Sequence, residues 1–200
     1  RAGDLLVNWI LATTILAQAR RLEDLIANLM FATRLESGTV DLRRQWTSLE
    51  EVVGAALRRA PLEQHDVAVQ VAPALPMIDA DPVLLEQALY NLLDNVVRHT
   101  PPATHVVVRA WQQDDGLVVE VADDGPGIPA ADREALFRRF VRGKSSAGMG
   151  LGLAICDGIV RAHGGRAWVE SGTPRGAAFR FRLPLPPAQQ SPVWLLGEVH

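Results

Sequence analysis

The chain has 200 residues, of which 48% are hydrophobic and 22% are charged, and its formal net charge is -3 at pH 7. This composition is typical of one or two folded units and excludes a disordered segment. The slightly acidic balance, without a long basic run, argues against nucleic acid as a partner. The single cysteine, Cys156, cannot form an internal disulfide, which fits a reducing compartment; we interpret it as a packed core residue.

The pattern of apolar side chains in residues 1–39 predicts one long amphipathic helix. Apolar residues recur at helical spacing over residues 22–35, and Gly38 gives the helix a C-terminal stop. The apolar run over residues 5–17 contains polar residues and is shorter than the roughly 20 residues that span a bilayer, so we expect no direct membrane contact. One apolar stripe on so long a helix needs a partner helix, and we predict a homodimer through it.

Residues 40–185 predict a second domain in which short strands and helices alternate. Val40–Thr47 alternates apolar and polar side chains, which predicts a strand at the domain boundary. Ser48 and Glu51 form a capping-box pattern, so a helix is predicted from Ser48 to about Ala60, where a proline breaks it.

Farther along, Val67–Val71 is strand-like, and Asp81 followed by a proline predicts the start of a helix. Two hairpins are predicted, the first turning at residues 114–116 and the second at residues 172–176. In the last strand apolar residues alternate with arginines, as expected of a sheet with one face in water. These elements predict an α+β fold in which helices cover a mixed sheet, while residues 186–200 form a C-terminal tail without a motif.

Three carboxamides lie on the helix that is predicted to begin at Asp81. Gln87, Asn91 and Asn95 are spaced four residues apart, so they share one helix face. The buried side is predicted to hold Leu85, Leu89, Leu92 and Val96. A carboxamide oxygen is a suitable ligand for Mg²⁺, which takes only one or two protein ligands beside water and phosphate oxygens. We expect Asn95 to be the metal ligand; a solvated helix face is the equally simple alternative for this stripe alone.

Asp123 follows an apolar strand and precedes Gly125 and Gly127, which let the backbone approach a ligand closely. An ionised carboxylate only accepts hydrogen bonds, so it favours the exocyclic amine of adenine and is repelled by the carbonyl of guanine. We therefore predict that Asp123 recognises adenine. An aspartate in a tight turn with these glycines is the alternative.

Gly148, Gly150 and Gly152 lead directly into a second apolar helical segment. Backbone amides at such a helix N-terminus would face a bound polyphosphate. The cluster lacks the GK[ST] ending of a P-loop, and a flexible loop is the alternative interpretation. The earlier run GPGIPA, residues 125–130, formally fits a dinucleotide fingerprint, but its two prolines disrupt the helix start and we reject it.

Three stretches thus occur in order along the chain: NLLDN with Gln87 four residues upstream, DDGPG, and GMGLGLAI. Together they resemble the N, G1 and G2 boxes of the ATP-binding domain of bacterial sensor histidine kinases, and the intervening ALFRRFVRGKSSAG resembles the F box and lid of that domain. The resemblance implies a two-layer α/β sandwich of the Bergerat or GHKL type, with ATP and Mg²⁺ as cofactors. It also implies transfer of the ATP γ-phosphoryl group to a histidine, and then to the receiver domain of a response regulator.

The same resemblance implies roles for individual residues. It implies that the catalytic residues are Gln87, Asn91 and Arg142. Its nucleotide-binding residues are Asn91, Asn95, Arg98, His99, Asp123, Gly125, Gly127, Ile128, Phe140, Arg142, Lys144, Gly148, Gly150, Leu151, Gly152 and Leu153. Among them, Arg98 is at a phosphate-contacting position, and His99 replaces the usual tyrosine against the base. Arg142 would neutralise charge on the transferred phosphoryl group, whereas Lys144 is equally well explained as a solvated lid cation.

The phosphoaccepting histidine, which in this family is followed by an acidic residue and RTP, is absent from the chain. The helix over residues 1–39 matches only the second helix of the dimerisation hairpin. We therefore expect either a truncated cytoplasmic piece of an inner-membrane sensor, competent in trans but unable to label itself, or a degenerate ATP-binding scaffold. RLESG, WTSLEEVVGAAL and FVRGKSSAGMGLGLAIC are similar to potassium- and turgor-responsive sensor kinases of the KdpD type.

A third hypothesis is an ATP hydrolase related to gyrase, Hsp90 and MutL. Members of that group carry glutamate where this chain has Gln87. A neutral amide cannot accept a proton from water near pH 7, and the neighbouring Glu86 points about 100° away on a helix. Efficient hydrolysis is therefore disfavoured.

Overall fold

The computed structural model describes residues 9, 11–16, 18–19, 22, 26, 30, 33, 41–133, 136–137, 151–172 and 175–185. The chain forms two compact units, Arg1–Val40 and Asp41–His200. Every described residue of the first unit is helical and exposed. None of the described helices is both long enough and apolar enough to cross a bilayer. The predicted stop at Gly38 and the predicted tail over residues 186–200 lie outside the described residues.

The second unit is built from two sheets and the helices beside them. Its described elements are β1 (Gln45–Thr47), α1 (Leu49–Arg59), β2 (Asp66–Val71), β3 (Ile78–Ala80), α2 (Pro82–His99), β4 (His105–Gln113), β5 (Gly116–Asp123), α3 (Ala130–Arg133), α4 (Gly152–Ala162), β6 (Arg166–Ser171) and β7 (Ala177–Pro184). Strands β1 and β3 form a small antiparallel pair, and the larger sheet has the order β2-β4-β5-β7-β6. Strands β2 and β4 are parallel, whereas every other neighbouring pair is antiparallel. Both predicted hairpins are therefore present.

The core lies between the helices and one face of the large sheet. Helix α2 packs between α1 and α4, and α2 and α4 also contact the sheet. Side chains from both layers are almost completely buried: Leu85, Leu89, Leu92, Val96, Val106, Val108, Val119, Val121, Phe179 and Phe181. The four α2 residues predicted to be buried are thus confirmed, and the predicted two-layer α/β sandwich is present.

The opposite face of the sheet carries a charged row. Glu120 is buried at the centre of this face, and its two carboxylate oxygens accept from Arg109 and from Arg180, each at 2.5 Å. A buried carboxylate is costly unless it is paired, and here two guanidinium groups pair it. In β7, Phe179, Phe181 and Leu183 are buried whereas Arg180 and Arg182 are partly exposed, as the predicted alternation of apolar residues with arginines requires.

The structure differs from the sequence-based expectations at three places. Strand β1 begins only at Gln45, because the amide of Arg43 donates to the side chain of Asp81 at 3.0 Å instead of pairing in a sheet. Strand β3 was not predicted, since three residues between prolines carry little periodic signal. Ser48 occupies the N-cap of α1, but its side chain forms no capping hydrogen bond. Glu50 and Glu51 in the first turn favour the helix dipole instead.

Helix α2 begins at a residue that is bonded on several sides. The carboxylate of Asp81 accepts from the amides of Val83 and Leu84, each at 3.1 Å, which caps the helix. The amide of Asp81 donates to Nε2 of the buried His163 at 3.0 Å, and Nδ1 of His163 lies 2.8 Å from the carbonyl oxygen of Ile159. An amide only donates and a carbonyl only accepts, so His163 must be neutral with its proton on Nδ1. Burial, the largest cause, lowers the pKa of His163.

We predict that protonation of His163 destabilises the second unit. Because the folded-state pKa of His163 lies below its ordinary value of 6.5, the unfolded chain binds a proton that the folded chain rejects. The contribution of neutral His163 to the free energy of unfolding should therefore be fully present above about pH 6.5. It should be lost as the pH drops through the unfolded-state pKa and then through the folded-state pKa. A His163→Gln variant should lose about 1 kcal/mol at about pH 8 and show a smaller decline toward about pH 5.5. Urea unfolding at several pH values measures both effects.

His105→Gln is the matched control, because the His105 side chain is exposed and its described pairing is with Asp66 at the surface. It should keep the decline of the parent protein. An equally steep decline in His163→Gln would show that another group carries the pH dependence.

Candidate functional site

Helix α2 brings the three predicted carboxamides to one stripe beside its core face. Asn91 is 3% exposed, whereas Gln87 and Asn95 are partly buried. The stripe is therefore not a solvated helix face, as the alternative interpretation required. Its central residue belongs to the interior of the second unit.

The hydrogen bonds of Asn91 are incomplete within the described part of the chain. Its Oδ1 accepts from Nε2 of Gln87 at 3.3 Å, and Oε1 of Gln87 accepts from Nη1 of Arg59 at 2.8 Å. Nδ2 of Asn91 is buried and has no hydrogen-bond partner among the described residues. A buried donor without an acceptor costs about 1 to 3 kcal/mol, so such a group is typical of a site that a ligand completes.

The start of helix α4 lies against this carboxamide. A Cβ atom on Gly152 would come within 3.7 Å of Oδ1 of Asn91. Leu151 occupies the N-cap, and its apolar side chain cannot cap the helix. The first-turn amides, which include those of Gly152 and Leu153, have no acceptor within the helix, as is general at a helix N-terminus. Gly148 and Gly150, which were predicted to continue this segment, lie outside the described residues.

Asp123 ends strand β5 on the side of the sheet that faces the helices. It is 7% exposed, and its carboxylate accepts from the backbone amide of Gly125 at 3.0 Å and from that of Ala177. Burial is the largest influence and raises the pKa of Asp123, while the two amides act in the opposite direction. A buried carboxylate that retains accepting capacity suits a ligand that only donates, as the exocyclic amine of adenine does.

Glycines make room around Asp123. A Cβ atom on Gly125 would lie 2.8 Å from Cγ2 of Thr100 and 2.9 Å from Oδ1 of Asp123. Gly127 has a φ of 75°, and Gly176 has a φ of 91° with its Cα facing the carbonyl of Asp123. Thr100 and Gly176 were not predicted as part of the site, because they reach it only through tertiary packing.

Some of the remaining predicted residues are described by the structure, and the others lie outside the described residues. Nε of Arg98 pairs with the carboxylate of Asp94 at 2.6 Å, and the pKa of His99 is lowered mainly by partial burial and then by the charge of Arg98. The carbonyl of Ile128 accepts two hydrogen bonds from Arg133, at 3.0 and 3.1 Å. Phe140, Arg142 and Lys144 lie outside the described residues. The structure thus brings the α2 stripe to the start of α4 through Asn91 and Gly152, and it brings the end of β5 to the C-cap of α2 at Thr100.

Comparisons with known proteins identify the family and the fold of this chain. Residues 80–187 match the family described as histidine kinase-, DNA gyrase B-, and HSP90-like ATPase. The sensor protein KdpD of Escherichia coli K12 is 38% identical over 80% of this chain, and the match covers 18% of KdpD. The adaptive-response sensory kinase SasA of Synechococcus is 32% identical over 84% of this chain, and 47% of SasA is covered. The chain therefore spans less than half the length of these curated relatives.

Among solved structures, a mycobacterial sensor histidine kinase MprB superposes with a TM-score of 0.64 at 34% identity, covering 72% of this chain and 99% of that one. The predicted resemblance to the ATP-binding domain of sensor histidine kinases, and the predicted fold, are confirmed. KdpD and SasA match similarly well, so a relationship specifically to the KdpD type stays a prediction.

We predict that Gly176 is required to hold Asp123 in place. A Cβ atom on Gly176 would clash with the carbonyl of Asp123, in addition to the strain of the positive φ. Gly176→Ala should therefore lower the free energy of unfolding by about 3 kcal/mol or more. Gly164→Ala is the control, since Gly164 also has a positive φ of 77° but its Cβ would meet only Pro184 at 3.5 Å. It should cost about 1 to 2 kcal/mol in urea unfolding; equal losses would contradict the role of the close approach.

Proposed function

Because the chain belongs to the family of histidine kinase-, DNA gyrase B- and HSP90-like ATPases, we propose that it is the ATP-binding catalytic region of a two-component sensor histidine kinase. In this proposal it transfers the γ-phosphoryl group of ATP to a histidine outside this chain, which passes it to a response regulator. The observation that carries the proposal is the side chain of Asn91, which lies beside the start of α4 and whose buried Nδ2 has no partner among the described residues.

The adenine end of the nucleotide is assigned to Asp123. Its carboxylate accepts a hydrogen bond from the exocyclic amine of the base, while the tight approach of Gly125 and Thr100 shapes the wall beside it. The raised pKa of Asp123 means that protonation begins at a higher pH than usual, and the protonated form is a poorer acceptor. Nucleotide affinity should accordingly decline as the pH falls toward that pKa.

The polyphosphate end is assigned to the start of α4 and to the α2 stripe. In this proposal the amides of Gly152 and Leu153, in the first turn of α4, donate to phosphate oxygens. ShkA, a kinase that is 31% identical and has a TM-score of 0.72, was solved in complex with AMPPNP, which supports a nucleotide at this fold. Asn95 would hold Mg²⁺, whose contribution is to neutralise charge on the phosphate oxygens. Arg142 and Lys144 are proposed as cations that close over the phosphates.

The state of Gln87 favours phosphoryl transfer to a protein over hydrolysis. Its Oε1 accepts from Arg59 and its Nε2 donates to Asn91, so neither atom is available to polarise water. A neutral amide is in any case no base near pH 7. Oε1 of Glu86 lies 3.7 Å from Nη1 of Arg59, so Glu86 is ion-paired and does not replace Gln87 as a base toward water. ATP hydrolysis, the activity of the related hydrolases, is therefore the less favoured function.

Dimerisation and response regulators are general features of the histidine kinase family, and we propose both for this chain. The N-terminal unit exposes large apolar side chains at helical spacing: Leu11, Ile15, Leu22, Ile26 and Met30. An apolar stripe of this kind is the surface that a second copy would cover. We also propose a cytoplasmic location for the chain, because ATP is supplied in the cytoplasm.

Calorimetric titration of ATP with Mg²⁺ tests the nucleotide site. Asp123→Asn should weaken binding about tenfold or more, because one oxygen is replaced by a donor that faces the adenine amine. Asn95→Ala should mainly weaken the part of the affinity that requires Mg²⁺. Circular dichroism and urea unfolding check that both variants are folded. If both lose their folded signal, these side chains support the core and are not ligand contacts.

Phosphotransfer in trans tests the kinase assignment. With γ-labelled ATP, the chain should label a separately purified sensor-kinase helix hairpin that carries the phosphoacceptor histidine, and the label should pass to a receiver domain. The chain alone should stay unlabelled, since it has no histidine in the phosphoacceptor context. Steady ATP hydrolysis that survives Gln87→Ala, without labelling of the hairpin, would assign the chain to the hydrolases instead.

A further inference from the structure

His65 lies beside the C-terminal end of α2, in the turn that precedes β2. Its amide donates to the carbonyl of Leu62 at 2.9 Å, and Nε2 of its ring lies 3.0 Å from Oγ1 of Thr100. The neighbouring backbone is tied to the turn after α2, since the amide of Ala103 donates to the carbonyl of Gln64 at 2.6 Å. His65 belongs to none of the sequence motifs, and only tertiary packing brings its ring to Thr100.

The hydrogen bonds of Thr100 fix which way its side chain points. Its hydroxyl lies 2.8 Å from the carbonyl oxygen of Val96, which only accepts, so the hydroxyl donates its one hydrogen there. Oγ1 must therefore accept from Nε2 of His65. With Oγ1 held between Val96 and His65, the methyl carbon Cγ2 faces Gly125, where an added Cβ atom would lie only 2.8 Å from it.

The second nitrogen of the His65 ring has no described partner. Nδ1 is buried and forms no hydrogen bond with any described residue. The bond from Nε2 to Thr100 is thus the polar contact that the described structure gives this ring. A buried nitrogen without a partner lowers stability, which favours a role in orienting Thr100 over a role in stabilising the fold.

Gly125 connects Thr100 to the adenine end of the proposed nucleotide site. The amide of Gly125 donates to Oδ1 of Asp123 at 3.0 Å, and this bond orients the carboxylate. Because the Thr100 methyl group packs against Gly125, its position limits how far that amide can move. A hydrogen bond weakens steeply when donor and acceptor are misaligned, so small movements of the carboxylate matter to a ligand.

We propose that His65 is a positioning residue for adenine recognition, which holds Thr100 against Gly125 and so keeps the Asp123 carboxylate aligned with the exocyclic amine of the base. This inference rests on the proposed nucleotide site and adds a residue to its adenine end. Without the hydrogen bond from His65, the Thr100 side chain can rotate and Gly125 loses its support. The carboxylate then spends part of its time in orientations that bind the amine poorly.

The test removes the exocyclic amine from the ligand. Purine riboside triphosphate lacks this amine, so the ratio of its affinity to that of ATP reports the hydrogen bond to Asp123. In calorimetric titrations with Mg²⁺, the parent protein should bind ATP about tenfold more tightly than the analogue. His65→Leu should lower this preference about 2- to 5-fold. His65→Gln should retain most of it, because the glutamine Nε2 also donates.

His105→Leu is the matched control. The His105 side chain is exposed, and its described pairing is with Asp66 at the surface. This variant should prefer ATP as strongly as the parent protein does. A general loss of folded protein would lower both affinities together and leave the preference unchanged, so the preference separates positioning from support of the fold.

A double-mutant cycle tests the path through Thr100. Thr100→Val keeps the branched shape and removes the hydroxyl, so adding His65→Leu should not lower the preference for ATP any further. An unchanged preference in His65→Leu, an equal decline in His105→Leu, or a further decline in the Thr100→Val background would each overturn the inference. A folded parent protein that binds neither nucleotide would instead overturn the proposed function, and equal binding of both would overturn its assignment of adenine to Asp123.

Discussion

The bonds of Asp81 hold three parts of the second unit together. Its carboxylate caps α2 and accepts from the amide of Arg43 in the entering segment, while its own amide donates to His163 at the end of α4. Because helices are stiff, fixing the start of α2 against the end of α4 also fixes how the two helices lie along each other. The contact between Asn91 and Gly152, on which the candidate site depends, follows from that alignment.

Much of this fold could be predicted from local patterns. The period of the apolar residues identified α2, and alternation with turn residues identified both hairpins, since these signals lie within a few residues of one another. The pairing of β2 with β4, the pairing of β1 with β3 and the presence of β3 depend on distant contacts, and the sequence carries no local sign of them. The site divides in the same way. Asp123, Asn91 and Gly152 stand in motifs, whereas Arg59, Thr100 and Gly176 reach the site only in the folded chain.

The buried polar groups of the second unit differ in how completely they are satisfied. Glu120, on the face of the sheet away from the helices, is held by Arg109 and Arg180. Asp123, on the opposite face, receives backbone amides but no arginine in any described ion pair, and burial raises its pKa. Nδ2 of Asn91 has no described partner at all. Complete pairing is typical of a structural role, whereas incomplete pairing in one place is typical of a site built for a ligand. This contrast separates two buried carboxylates that are only three residues apart in β5.

The side chain at position 87 determines what the stripe on α2 can do. A carboxylate there would accept from Arg59 and would also accept from Asn91, which would turn the Asn91 amide round and use up its Nδ2 donor. An amide does the opposite, since Gln87 accepts from Arg59 and donates to Asn91, and Nδ2 of Asn91 then has no partner among the described residues. A glutamate can act as a base toward water, whereas a glutamine is no base near pH 7. The hydrogen-bonding polarity of the residue at position 87 thus decides which atom of the Asn91 carboxamide is left without a described partner.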